Sequence, residues 1–164
     1  MNTKMILSTR LYFSYRQFLV SDKDVKLPGC AWTEAHSNQG FIRRNSTVNF
    51  GTLLEFGWAD VIVNLSSFET RDEYERIIAV PFSATSGIIN LEGPESDLPE
   101  SFSLSIGNYR LVVAQRVTGD DEEAIDLFFE QLAELPKQSE IIKKDDMLNP
   151  SMPLIETARI AGEN

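Results

Sequence analysis

The feature that most constrains the fold is a series of eight short runs rich in β-branched and aromatic residues, with no long amphipathic helix pattern between them. Turn residues bound most of the runs, and their close spacing is typical of antiparallel hairpins. Because no helices separate the runs, a parallel βαβ sheet is not expected. The sequence therefore predicts a mostly β fold, an antiparallel β-sandwich or barrel of about eight strands. The predicted strands are residues 9–20, 46–54, 59–65, 76–82, 87–91, 101–106, 108–117 and 124–132.

Local signals refine this prediction. The dipeptide Gly107-Asn108 separates two alternating runs and predicts a tight hairpin between them. Pro81 cannot donate a ladder hydrogen bond, so its strand is expected at a sheet edge or with a bulge. The alternation in residues 76–82 predicts a buried strand, and Tyr74 is expected to anchor the charged segment that precedes it.

The chain length of 164 residues predicts one domain with a C-terminal extension. After Leu135 the sequence mixes charge runs with three prolines, a composition that buries little apolar surface. We predict a β-sandwich domain over residues 1–135 and an extended or partly helical tail over residues 136–164, with one short helix at 154–161. On this prediction the tail is dispensable for folding.

The chain lacks the residues that common enzyme and metal sites require. Cys30 and His36 are the only cysteine and histidine, so a thiol–imidazole pair would have no obvious third group to orient it. Phosphate-binding glycine loops and serine nucleophile motifs are absent. We expect no enzymatic activity, no metal site and no cofactor. A single cysteine fits a reducing cytoplasm. No apolar run is long enough to span a membrane. The N-terminal stretch is expected to belong to the fold and not to a signal peptide.

The charge is strongly acidic and unevenly distributed. The net charge is −10, which argues against direct nucleic-acid binding because such proteins carry a basic surface. Residues 1–45 hold seven Lys or Arg and three acids, whereas residues 46–164 hold eight Lys or Arg and 22 acids. This asymmetry favours a basic protein partner, which an acidic face would steer into contact. Proteins that bind nucleic acid carry a basic surface that holds its phosphates, so the partner is expected among them.

Two groups of residues are candidate partner contacts. The first consists of acids in two clusters, one at residues 69–75 and one at residues 120–123. The second cluster is expected on an exposed turn that precedes a strand. The second consists of aromatic side chains in the long loop over residues 21–45, because long loops in compact domains are often functional. The candidates are Trp32, Phe41, Glu69, Asp72, Glu73, Glu75, Asp120, Asp121, Glu122 and Glu123.

Several short motifs occur in the order found in a known family. A Ser-Tyr-x-Gln-Phe segment precedes a Trp-Thr dipeptide, and a Ser-Ser-x-Glu-Thr segment leads through Tyr-Glu to Val-Pro-Phe, the most specific block. A Gly-x-Tyr-x-Leu strand follows. With these motifs the chain resembles the competence protein J family, inhibitors of the bacterial DNA-entry nuclease. The matching residues are 14–18, 32–33, 66–70, 74–75, 80–82 and 107–111.

The resemblance covers about residues 12–130 and implies a small cytoplasmic protein that binds a nuclease and blocks it. It identifies no inhibitory residues. The tail after Leu135 has no counterpart in it, and the acidic run at 120–123 need not be shared, so the target nuclease stays open. Two alternatives remain: an immunity protein that neutralises a bacterial toxin, and a β-sandwich module that binds a sugar or lipid through residues 21–45.

Overall fold

The chain folds into two β-sheets that face each other as a sandwich, in a computed structural model that describes residues 4–162. This confirms the predicted mostly β fold. Of the two predicted architectures, sandwich and barrel, the chain adopts the sandwich. The strands are β1 Met5–Phe13, β2 Gln17–Asp22, β3 Phe41–Arg44, β4 Thr47–Gly51, β5 Gly57–Asn64, β6 Arg76–Ala84, β7 Ile88–Glu92, β8 Glu100–Ser103, β9 Gly107–Gly119, β10 Glu122–Leu132 and β11 Glu140–Lys143, and the helix is α1 Glu34–Gln39.

The two sheets differ in size and in strand direction. The larger sheet has the order β1-β5-β10-β9-β6-β11, and the smaller has the order β3-β4-β2-β7-β8. All pairs are antiparallel except β5 and β10, which run parallel without a connecting helix. Apart from the β9–β10 hairpin, the paired strands of the larger sheet are remote from each other in sequence.

The core lies between the sheets and is built by alternation along the strands. Ile78, Val80 and Phe82 of β6 are buried in it, as their spacing predicted. Phe129 of β10 packs edge-on against the Tyr109 ring at 5.8 Å between centroids. Because successive residues of a strand point to opposite faces, each strand of the larger sheet also carries a second, outward row of side chains.

The outward face of the larger sheet is partly covered by the segment between β5 and β6. Phe68 and Tyr74 from this segment pack on Ile77, Val112 and Phe128, which form a second apolar cluster outside the main core. A charged stretch can thus lie directly before a buried strand, since two aromatic side chains tie it to the sheet.

Sequence periodicity fails at two places where the chain changes sheet. Residues 9–20 form two strands, β1 in the larger sheet and β2 in the smaller, joined by a turn at residues 14–17. The predicted hairpin at Gly107-Asn108 is wrong, because β8 and β9 belong to different sheets.

Pro81 lies beyond the part of β6 that β11 covers, where β6 has a neighbour on one side only.

Residues 21–45 were predicted to form one long loop, but part of this segment is regular secondary structure. It contains β3 and the helix α1, whose first turn is capped by the Thr33 side chain and whose end is closed by Gly40 at a φ of 85°. A left-handed residue at this position favours glycine. No helix in the described residues is long and apolar enough to cross a membrane.

Residues 136–162 pack along the sandwich. β11 extends the larger sheet, and Leu148 and Leu154 are buried in the main core. Asp145 forms a 2.8 Å ion pair with Arg76, which is itself buried. The predicted short helix at 154–161 is wrong, since none of these residues is helical. The division of the chain at residue 135 stays a prediction.

Candidate functional site

Cys30 and His36 are held in structural roles. The hydroxyl of Thr33 lies 2.7 Å from Nδ1 of His36, and the carbonyl oxygen of Thr157 lies 3.0 Å from Nε2. A carbonyl oxygen can only accept, so Nε2 carries a proton and donates to Thr157, while Nδ1 shares a hydrogen bond with the Thr33 hydroxyl. Cys30 is buried and bridges Ile160 through its backbone. In the described part of the chain, no group of three or more His, Cys, Asp or Glu residues could hold a metal ion.

The turn between β9 and β10 presents a pair of exposed carboxylates. Asp120 and Asp121 form its tip, where Asp121 has a φ of 54°, a region that Asp tolerates better than most residues. The Asp121 carbonyl accepts a 2.9 Å hydrogen bond from the backbone N–H of Trp58, which fixes the turn against β5. Within residues 4–162 no ion pair reaches either carboxylate. The tip therefore carries two negative charges without a paired cation.

Beside this turn, Arg10 on β1 joins two acids and an aromatic ring. Its guanidinium lies 3.0 Å from Glu122 and 3.8 Å from Asp60. It also lies 5.3 Å from the centre of the Trp58 ring, which Tyr12 contacts edge-on. Trp58 is 45 % exposed. Because Trp, Tyr and Arg are enriched among the residues that dominate binding energy at interfaces, this cluster is a candidate contact surface.

Glu123 does not belong to the exposed acids, which corrects the sequence prediction. It is fully buried, and its Oε2 accepts hydrogen bonds from the backbone N–H groups of Leu53 at 3.1 Å and Leu54 at 3.0 Å. Burial raises the pKa of this carboxyl, and the bonds from Leu54, Leu53 and Gln115 offset only part of that effect. The physical reason is strand alternation: Glu123 points to the same side of β10 as Ile125, into the space between the sheets.

The charged segment before β6 crosses the outward face of the larger sheet. Tyr74 is buried, and its hydroxyl donates a 2.6 Å hydrogen bond to Asp126. Tyr74 therefore anchors the segment as predicted, but to the apolar cluster on the outward face and not to the main core. Burial together with this bond raises the pKa of Tyr74. The segment exposes all four acids that were predicted as partner contacts: Glu69, Asp72, Glu73 and Glu75.

Two of these four acids reach the same end of the sandwich as the β9–β10 turn. Glu75 accepts a 2.6 Å hydrogen bond from the backbone N–H of Val117, and Glu73 lies 3.9 Å from Arg116, both near the end of β9. Glu69 instead lines a recess on the outward face of the sheet. The structure thus joins part of one acidic cluster to the other.

The two predicted aromatic anchors occupy different environments. Phe41 is fully buried in the core, so it cannot contact a partner, and this prediction is wrong because β3 points the ring inward. Trp32 is half-buried, and its Nε1 donates a 3.0 Å hydrogen bond to Gln17. Together with Tyr15 and Met147 it lines a groove of about 510 Å³. Of the two, only Trp32 is accessible.

The turn between β1 and β2 also lines this groove. Tyr15 and Arg16 form its tip, and Tyr15 is 76 % exposed. The Arg16 guanidinium donates a 3.0 Å hydrogen bond to the Leu53 carbonyl and lies 3.3 Å from the Met147 sulfur. Arg16 therefore braces the turn against its neighbours.

These elements meet at one end of the sandwich, which we call the acidic end and define as residues 14–17, 53–60, 73–75 and 119–122. Backbone contacts connect its parts: the N–H of Arg16 donates to the Glu55 carbonyl at 2.8 Å, and β5 is tied to the β9–β10 turn. Five predicted acids, including Asp120, lie here. Glu69 and Asp72 lie outside these ranges, with Glu69 in the outward-face recess that Asp60 also lines, and Glu123 and Phe41 are buried.

Sequence reasoning missed Tyr15 and Trp58. Ala59 and Val61 were assigned to the buried face of their strand. Because successive residues of a strand point to opposite faces, the sequence already predicted that Trp58 is on the exposed face. Tyr15 belongs to the Ser-Tyr-x-Gln-Phe segment, but its place in a turn was poorly signalled, because Ser14 is the one turn-favouring residue among residues 14–17.

Comparisons with known proteins point to one family. The sequence model of competence protein J (ComJ) matches residues 10–135. A "DNA-entry nuclease inhibitor" of Bacillus subtilis (strain 168) is 33 % identical over 101 residues, which is 62 % of this chain and 75 % of that protein. The crystal structure of ComJ, "inhibitor of the DNA degrading activity of NucA", from Bacillus subtilis has a TM-score of 0.70 and 25 % identity, and the match covers 80 % of this chain and 100 % of that one.

A second solved structure shares the fold. It is that of "Crocagin biosynthetic gene J", which matches with a TM-score of 0.50 and 17 % identity over 78 % of this chain and 98 % of its own. At this identity the likeness shows the fold alone.

Proposed function

Because the chain belongs to the competence protein J family, we propose that it binds a bacterial DNA-degrading nuclease and blocks it. Both Bacillus subtilis proteins named above are described as inhibitors of a nuclease. The structural roles of Cys30 and His36 support the same conclusion for this chain, since both ring nitrogens of the histidine are already bonded. Inhibition on this proposal is by binding alone, without a chemical step or a cofactor.

The observation that carries the proposed binding mode is the exposed pair Asp120 and Asp121 at the acidic end, which no ion pair reaches within residues 4–162. A nuclease must hold DNA phosphates with cationic side chains, so its substrate groove is basic. Asp120 and Asp121 project from a fixed turn and have no paired cation among the described residues, which suits such a groove. An acidic end seated in the groove would exclude DNA by occupying its place.

The remaining properties of the chain fit this role. The net charge of −10 disfavours competition for nucleic acid itself, so the proposed partner is the nuclease and not its substrate. The free, buried Cys30 suits a reducing cytoplasm, where we place the protein.

The test is a DNA-degradation assay with NucA of Bacillus subtilis and increasing amounts of the full chain. We expect NucA activity to fall to zero near equimolar chain, with weaker inhibition as salt rises, because exposed charges are screened over about 10 Å at 0.1 M salt. The chain alone should leave DNA intact. Persistent NucA activity at large excess of folded chain and low salt would contradict the proposal, and protection against a nuclease toxin instead would assign the chain to immunity proteins.

A further inference from the structure

The turn between β1 and β2 adopts a backbone conformation that its residues disfavour. Tyr15 has a φ of 52° and Arg16 a φ of 55°. Left-handed backbone is uncommon outside glycine and most unusual for bulky side chains, and two such residues in succession are rarer still. A conformation of this kind persists only where its surroundings impose it, and such sites are often functional.

The surroundings of the turn do impose it. The N–H of Gln17 donates to the Ser14 carbonyl at 3.2 Å and closes the turn. Arg16 is held on both sides, since its N–H donates to Glu55 and its carbonyl accepts from Thr52 at 3.0 Å. The turn therefore has its shape before any partner arrives, which lowers the entropy lost on binding.

The fold makes little use of the side chain that this turn displays. Tyr15 is 76 % exposed, the most exposed aromatic residue in the described part of the chain. A Gly or Asn at this position would make the same turn at lower conformational cost. The tyrosine thus costs stability, and the core gains little from its ring.

We propose, on the premise that the chain inhibits a nuclease, that Tyr15 is an anchor residue that inserts into the partner's nucleic-acid groove. Two properties of the acidic end select this occupant. Glu55 adjoins the turn and Asp120 and Asp121 lie at the same end, so the tyrosine is presented within a negative surface that complements basic groove walls. A flat aromatic ring also fits a groove that accepts stacked bases.

The test compares Tyr15→Asn with wild type for thermal stability and for binding to NucA of Bacillus subtilis. Asn tolerates left-handed backbone, so we expect the melting temperature to stay constant or to rise. We expect the dissociation constant to increase at least 10-fold, mainly through faster dissociation, as for the loss of an interfacial anchor. Tyr15→Phe retains the ring and should stay within a few-fold of wild type.

Ile106→Asn is the matched control, because Ile106 is 67 % exposed and precedes β9 at the opposite end of the larger sheet. It should leave NucA binding unchanged. If Tyr15→Asn binds NucA as tightly as wild type, the anchor role is wrong while the proposed function stands. If Tyr15→Asn and Tyr15→Gly both lose stability together with binding, the turn is structural and the inference is overturned. A wild-type chain that does not bind NucA overturns both.

Discussion

Asp22 and Glu123 are buried carboxylates at opposite ends of the sandwich, and backbone N–H groups hold both. Asp22 accepts hydrogen bonds from Asp24 at 2.9 Å, Thr85 at 2.7 Å and Ser86 at 3.1 Å. Its burial acts to raise the pKa, but these bonds outweigh burial and lower it. At Glu123 burial prevails and the pKa is raised. The two residues should therefore affect stability with opposite dependence on pH.

We expect this opposition to appear when each acid is replaced by its amide. The free energy of unfolding contributed by Asp22 should be present above its unfolded pKa of about 3.9 and be lost as pH falls through the lower folded value. The contribution of Glu123 should be greatest below its unfolded pKa of about 4.3 and decline as pH rises through the higher folded value. Each unit of difference between folded and unfolded pKa is worth about 1.4 kcal/mol.

The measurement is urea unfolding of wild type, Asp22→Asn and Glu123→Gln between pH 3 and pH 8. The stability difference from wild type should grow with pH for Asp22→Asn and shrink, or change sign, for Glu123→Gln. Parallel curves for the two variants would show that the balance of burial and hydrogen bonding is misjudged at one of them.

The β9–β10 turn is an element whose charge can be changed without disturbing its backbone. We expect the triple change Asp120→Asn, Asp121→Asn and Glu122→Gln to slow association with NucA by about 10-fold, on the scale of electrostatic steering. Dissociation should change less, because charges at the rim of an interface act mainly on the association rate. Glu123 is left unchanged because it is buried. Stopped-flow association at two salt concentrations measures the effect.

The control for this experiment removes the same three charges elsewhere. Asp24, Glu134 and Glu140 are exposed and lie outside the acidic end. Their neutralisation should leave the association rate within about twofold of wild type if local charge is decisive. Equal slowing by both triple changes would show that net charge, and not the acidic end, steers the encounter.

Sequence patterns predicted those elements whose side chains alternate cleanly. The strands that became β5, β6, β9 and β10 were predicted within a few residues, because each has one apolar face against the core. The same patterns could not show where the chain passes between sheets, since Gly107 follows β8 as a turn residue would. They also missed β3 and β11, which have four residues each and show no clean alternation of buried and exposed side chains.

The sequence predicted which types of residue form the candidate site better than it predicted where they lie in the structure. Alternation cannot tell an exposed acid from a buried one when the partners of the buried acid come from a remote loop. Glu123 is such a case, since its hydrogen bonds come from residues about 70 positions earlier. The turn at Tyr15 was beyond prediction for the related reason that bonds to Glu55 and Thr52, and not its own residue types, impose its shape.

On the scale of the whole molecule, the C-terminal residues are bound to the sandwich by several kinds of contact. Glu156 pairs with buried Arg43 at 3.4 Å and accepts a hydrogen bond from Ser139 at 2.6 Å. Gln39 of α1 bonds to both the N–H and the carbonyl of Ile155. The residues beyond the family match thus complete the structure around α1 and β3.

These contacts lead us to expect that a chain ending at Leu135 is strongly destabilised, contrary to the sequence-based expectation. Truncation removes Leu148 from the core and leaves Arg76 buried without Asp145. Loss of one buried leucine typically costs about 2–5 kcal/mol, and loss of one partner of a buried ion pair costs about 3–5 kcal/mol. Thermal unfolding of the truncated and full chains measures the difference.

Asp145→Ala in the full chain separates the ion pair from the apolar contacts. It should reproduce part of the loss, about 3 kcal/mol, because Arg76 then lacks its carboxylate. A truncated chain that melts cooperatively at the full-length temperature would establish residues 136–164 as a separable tail.

The parallel pairing of β5 with β10 has a consequence for the synthesis of the protein. β5 ends at Asn64, but its second neighbour is complete only once Leu132 has been made. A ribosome adds about 5–20 residues per second, so the nascent chain waits roughly 3–14 s with one side of β5 unpaired. During that interval Val61 and Val63 have no finished core to enter. The larger sheet is therefore complete only after almost the whole chain has been translated, and until then the emerging polypeptide exposes an unpaired strand edge.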